Sequence, residues 1–76
     1  GSDLHEVVYE TKELLKRIEE VVEELRKKSE DIIRKAERGE ISEDELKRLQ
    51  EEIAREAKKL LDEIKRVLER HLEQTL

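Results

Sequence analysis

The sequence predicts an all-α protein built as one antiparallel hairpin of two long helices. Three observations predict this fold. Leu, Ile, Val and Ala recur at helical spacing along most of the chain. Charged residues make up 51% of its 76 residues and fill the positions between them, with no proline. Only residues 37–46 combine signals that end a helix with signals that start one. We expect a single domain over residues 3–76, with helices over 3–38 and 42–75 and a loop over 39–41.

The predicted turn contains a cap for each helix. Gly39 is expected to end the first helix, because glycine adopts the left-handed conformation without steric cost. Ser42 is expected to start the second helix by accepting a hydrogen bond from the backbone N–H of Glu45, whose carboxylate would reach back to the N–H of Ser42. Ile41 and Leu46 have the spacing of a hydrophobic staple.

The first helix carries an apolar stripe that is three positions wide in each heptad. Asp3 or Ser2 is expected to cap it, with Glu6 completing the capping box. We expect Gly1 and Ser2 to be a remnant of tag cleavage. The stripe is wider than the seam of a two-stranded coiled coil and predicts contact with more than one neighbouring helix. It consists of Leu4, Val7, Val8, Thr11, Leu14, Leu15, Ile18, Val21, Val22, Leu25, Ser29, Ile32, Ile33 and Ala36.

The second helix carries a stripe of the same width. Each helix is roughly 35 residues, or about 50 Å, long. A helix of that length needs a partner along its whole apolar side. The stripe consists of Leu46, Leu49, Gln50, Ile53, Ala54, Ala57, Leu60, Leu61, Ile64, Val67, Leu68, His71, Leu72 and Thr75.

The polar residues within the two stripes are predicted to gather into two layers. Folding at the turn brings Ser29 level with Gln50, and Thr11 level with the helical turn that ends at His71. Clustered polar side chains can satisfy each other and penalise registers that separate them. We expect His71 to be buried in such a network, with exposure at a frayed helix end as the alternative. The predicted network residues are Thr11, Ser29, Gln50, His71 and Thr75, with His5, Tyr9 and Gln74 as further candidates.

The aliphatic stripe positions are expected to drive association by burying apolar surface. We expect the main contributions from Leu14, Leu15, Ile18, Val21, Val22, Leu25, Ile53, Leu60, Leu61, Ile64, Val67 and Leu68.

Composition argues against several function classes. The chain has no cysteine and a net charge of -5, with no basic stripe for nucleic acid and no apolar run of membrane-spanning length. The Glu-x-x-His signature of a di-iron bundle is absent, since Leu68 stands three residues before His71. No nucleophile has an obvious base beside it, and no phosphate-binding loop is present. We therefore expect no enzymatic activity, no metal and no cofactor.

Four features of the sequence carry a resemblance to a known class of proteins. They are the caps around Gly39 and Ser42, the aliphatic stripes, the Glu, Lys and Arg surfaces, and the confinement of polar residues to layers. Together they resemble de novo designed helical hairpins that assemble through buried hydrogen-bond networks. The resemblance covers the whole chain. It implies a soluble recombinant protein without a natural activity or cellular location. It also implies a function of specific pairing, with two hairpins forming a four-helix bundle or three forming a six-helix bundle.

Association is also expected without the resemblance, because two helices alone leave one side of each stripe in water. The equal stripes favour a homodimer, since a trimer would need a more apolar inner helix. A distinct hairpin chain as partner, and a homotrimer, remain alternatives. A pH-responsive or partner-responsive switch is a further alternative, in which protonation of His71 near pH 6 releases the assembly. A natural RNA-binding hairpin would need a basic or aromatic outer face, which this chain lacks.

Overall fold

The computed structural model describes residues 4–75, and places the side chains of residues 4–73. Helix α1 runs from Leu4 to Glu37 and helix α2 from Glu43 to Thr75. The two helices pack against each other as a hairpin with a long axis of 57 Å. The predicted all-α hairpin is confirmed. Asp3, the predicted cap of the first helix, and the Gly1-Ser2 segment lie outside the described residues.

Helix α1 ends in a Schellman motif centred on Gly39. Gly39 has a φ of 73°. Its N–H donates to the carbonyl of Ala36 at 3.1 Å, and the N–H of Glu40 donates to the carbonyl of Lys35 at 2.9 Å. These two bonds satisfy carbonyls that a helix end otherwise leaves without partners. Arg38, which was predicted to be the last helical residue, lies between the helix and this glycine.

Helix α2 begins with the predicted serine cap. The N–H of Glu45 donates to Ser42 Oγ at 3.1 Å, and the N–H of Leu46 donates to the Ser42 carbonyl at 2.9 Å. Glu43, Asp44 and Glu45 place negative charge in the first turn, where the helix dipole is positive. The expected hydrogen bond from the Ser42 N–H to the Glu45 carboxylate does not form between these two described residues. The serine hydroxyl therefore supplies the cap.

The conformation of Gly39 predicts a specific cost of substitution. No atom lies within 4 Å of a Cβ added there, so the cost comes from the backbone conformation alone. We expect Gly39→Ala to lower the free energy of unfolding by about 1–2 kcal/mol, and Gly39→Asn by less, because asparagine tolerates the left-handed region. Urea unfolding at one protein concentration measures both. Equal effects of the two variants would contradict a backbone origin.

The core between the helices is thin. Leu14, Ile32 and Leu60 are buried, each with 8% of its surface exposed, and no placed side chain is fully enclosed. The other apolar residues between the helices are half-buried. They are Val7, Ile18, Val21, Leu25, Ala36, Ile41, Leu46, Leu49, Ile53, Ala57, Ile64 and Val67. One hairpin therefore encloses only part of the apolar surface that its sequence provides.

Candidate association surface

One side of the hairpin is an exposed aliphatic surface, here called the apolar face. Its large side chains are 45–73% exposed. Leu14 and Ile32 mark the side of α1 that faces α2. At about 100° per residue, the exposed aliphatic side chains of α1 all lie to one side of these two residues, and the exposed aliphatic side chains of α2 lie on the same side of the hairpin. The apolar face consists of Leu4, Val8, Leu15, Val22 and Ile33 from α1, and Leu61, Leu68 and Leu72 from α2.

The opposite side of the hairpin carries the ion pairs that join the two helices. Lys28 Nζ lies 2.9 Å from Glu56 Oε1, and Arg17 Nε lies 3.5 Å from Glu63 Oε2. The hydrogen bond to Glu56 raises the pKa of Lys28. All four side chains are more than a third exposed, so water screens these pairs and limits their contribution to stability. The two sides of the hairpin are thus chemically distinct.

His71 is buried between the helices, with 9% of its surface exposed. Its Nε2 atom lies 2.8 Å from Oε2 of Glu10, and Arg70 Nη2 lies 3.5 Å from the same oxygen. A buried ring nitrogen needs a hydrogen-bond partner, and the Glu10 carboxylate supplies one. Glu10 was not predicted at this position, because charged residues of the two helices were expected on solvated faces. The available signal was its position one turn before Leu14, at the level of His71 in the antiparallel register.

Thr11 bonds within its own helix. Its hydroxyl donates to the carbonyl of Val7 at 2.8 Å, and the residue is exposed. The structure therefore brings Thr11 to the end of the hairpin that contains His71 but gives it a local partner. The side chains of Gln74 and Thr75 lie outside those described. His5 and Tyr9 are exposed on the first turns of α1.

Ser29 and Gln50 lie on the same side of the hairpin as the apolar face. Both line a depression of about 100 Å³, together with Ile32, Ile33, Leu46 and Ile53. Ser29 is half-buried and Gln50 is exposed. Neither side chain makes a hydrogen bond to another residue within 4–73. The two residues lie at one level, as their register requires, and their participation in an intermolecular network stays a prediction.

The aliphatic residues that were predicted to drive association divide into two groups. Leu14 and Leu60 are buried, and Ile18, Val21, Leu25, Ile53, Ile64 and Val67 are half-buried, so these eight pack the hairpin itself. Leu15, Val22, Leu61 and Leu68 lie on the apolar face. The other members of that face were assigned to the stripes but not to the association set. They are Leu4, Val8, Ile33 and Leu72.

Arg26 joins two carboxylates on the outer surface of α1. Its guanidinium binds Glu23 at 2.6 and 3.0 Å and Glu30 at 2.5 Å. The hydrogen bonds from Arg26 hold the pKa of Glu23 below its ordinary value. Because this pKa is lower in the folded chain than in the unfolded one, the contact stabilises the fold above the ordinary titration range of glutamate. That contribution is lost as the pH falls through the lowered pKa.

Arg26→Gln tests this contact. We expect the substitution to raise the pKa of Glu23 towards the ordinary glutamate value, as followed by ¹³C chemical shifts of its side-chain carboxyl during an acid titration. Lys16→Gln, at another exposed position of α1, is the matched charge control and is expected to leave Glu23 unchanged. If Glu23 titrated in Arg26→Gln as it does in the parent chain, Arg26 would not be the cause of its lowered pKa.

The part of the chain that the structure describes contains no group of three His, Asp or Glu side chains placed to hold a metal ion. Neither described helix has a segment apolar enough to cross a membrane. Comparison with protein-family models, with curated proteins and with solved structures finds no match to this chain.

Proposed function

We propose that the chain is an association module whose apolar face packs against the same face of a second copy, giving a four-helix bundle. The observation that carries this proposal is the exposure of the apolar face. Eight large aliphatic side chains share one side of a two-helix hairpin, and the other side carries ion pairs. An exposed patch of this kind on a small protein is typical of an interaction surface.

The surface area supports the same proposal. The chain exposes 6327 Å². A compact monomer of its 9.1 kDa mass is expected to expose about 4,900 Å². The excess is about 1,400 Å² per chain, and stable interfaces bury about 1,200–2,000 Å² in total over both partners. Two copies therefore have enough surplus surface to form a stable interface.

Ser29 and Gln50 give this interface a polar position. Enclosing them without partners would cost about 1–3 kcal/mol for each unpaired polar group. Registers that provide partners are therefore favoured over registers that place both residues against aliphatic side chains only. In the proposal these residues select the register and the partner, while the aliphatic residues supply the affinity.

The proposal includes a designed origin and no catalytic role. The regular pair of caps at Gly39 and Ser42 and the division of the hairpin into an aliphatic side and an ionic side support it. Designed bundles are built from such idealised helices, caps and binary patterns. The partner in this proposal is another protein helix pair, with no nucleic acid, membrane or cofactor.

Light scattering on a sizing column, at neutral pH and over a dilution series, tests the proposal. We expect twice the 9.1 kDa mass of one chain. Three times that mass would replace the dimer with a six-helix trimer. A helical monomer at every concentration would contradict self-association. Aggregation of the chain alone, relieved by mixing with a second hairpin, would identify a heteromeric pair instead.

A further inference from the structure

We infer that the two copies pack with their turns at opposite ends of the bundle. This inference rests on the proposed function and specifies its geometry. The apolar face is uneven along the 57 Å axis of the hairpin. Within the described residues, Ile33 is its only large aliphatic member near the turn. The same half contains the exposed Ala54, and also Ser29 and Gln50, which line the depression of about 100 Å³. The other half contains the exposed leucines.

An inverted second copy places the half of each apolar face that contains the exposed leucines against the half of the other that contains Ile33. In this arrangement α1 packs against α1 and α2 against α2, with the twofold axis passing near Glu20 and Lys59. At 1.5 Å per residue, Leu68 of each copy then lies opposite Gln50 of the other and at the level of the depression. A depression of about 100 Å³ has room for one aliphatic side chain.

The same register continues the matching along α2. Leu61 of each copy lies opposite Ala57 of the other. Alternation of large and small residues across facing positions is what fills a helical core at native density.

The polar residues also meet in this register. Ser29 of each copy lies opposite Thr11 of the other. The Thr11 hydroxyl proton is used within its own helix, but its oxygen can still accept, and the Ser29 hydroxyl makes no other hydrogen bond within residues 4–73. Ser29 is therefore able to donate to Thr11 across the interface. This would give Ser29 and Thr11 a partner when the interface excludes water, while Gln50 lies opposite Leu68.

If the two turns lay at the same end, large aliphatic side chains would face large aliphatic side chains, and polar side chains would face polar ones. In that arrangement α1 packs against α2 at equal distance from the turn. Val8 would face Leu72, whereas Ser29 would face Gln50 across the depression of each copy. The bundle would then be overfilled at its open end and underfilled at its turns. Overpacking and cavities both lower stability.

Distances between two spin labels distinguish the arrangements. The sequence has no cysteine, so Glu40→Cys provides a single labelling site in the exposed turn. We expect label separations of about 50–60 Å in the inverted dimer, close to the length of a helix. Turns at the same end would give less than about 30 Å, because packed helices lie about 8–10 Å apart. Glu20→Cys, near the twofold axis, is the matched control. It is expected to give less than about 40 Å in either arrangement.

Light scattering on the same labelled proteins separates the two possible failures. A dimer mass with a short Glu40→Cys distance would overturn the inverted arrangement and leave the proposed function intact. A monomer mass, with no dipolar coupling at either position, would overturn the proposed function and the arrangement with it.

Discussion

Replacing Leu61 with glutamate is expected to convert the proposed dimer into a monomer at micromolar concentration. Leu61 is 64% exposed in the hairpin and lies near the middle of the apolar face, so a single chain loses little packing. In the proposed dimer the change occurs twice. It removes two leucines worth about 1.5–3 kcal/mol each and introduces two carboxylates into a surface that excludes water.

We expect the dissociation constant to rise at least about 100-fold, which corresponds to about 2.7 kcal/mol. Light scattering over a dilution series measures the shift, and circular dichroism at matched concentration reports the helical content of the resulting monomer. Arg66→Gln is the matched control. It changes the net charge by the same amount at an exposed position of α2 away from the apolar face. We expect it to retain the mass of the parent. An unchanged mass for Leu61→Glu would exclude the apolar face as the interface.

The hairpin was predictable because its determinants are local. Gly39 and Ser42 lie three residues apart, and each acts through hydrogen bonds to residues within one or two turns. Periodicity then defines both helices without reference to any distant contact. The position of the turn and the rise per residue are enough to predict that Ser29 and Gln50 lie at the same height along the hairpin. The structure places both residues in the lining of one depression.

The division of the stripes was not predictable by the same reasoning. Leu14 and Leu15 are neighbours in sequence and both belong to the α1 stripe, yet they are 8% and 54% exposed. A stripe three positions wide indicates two neighbours, but it does not say which flank the second helix of the same chain occupies. That choice depends on the handedness with which the turn joins the helices. Composition and the spacing of apolar residues do not determine that handedness.

The partner of His71 was missed for a different reason. Counting charged residues as solvated is correct for most of this chain, including Lys28 and Glu56, but Glu10 has only 25% of its side chain exposed. A carboxylate at the margin of a stripe is enclosed when the opposite helix presents a hydrogen-bond donor at the same level. Glu10 therefore belongs to the hairpin core in function, although its residue type is that of a surface position.

Replacing Glu10 with alanine is expected to destabilise the hairpin by about 1–3 kcal/mol, because His71 would stay buried without its partner. Urea unfolding at fixed protein concentration measures the loss. Glu13→Ala, at an exposed position one turn away, is the control and is expected to change stability by less than about 0.5 kcal/mol. In a chain that already carries His71→Leu, Glu10→Ala should lower the free energy of unfolding by measurably less than it does in the parent chain. The reason is that no buried imidazole then loses its hydrogen-bond partner. Equal costs in the two backgrounds would show that the two side chains are not coupled.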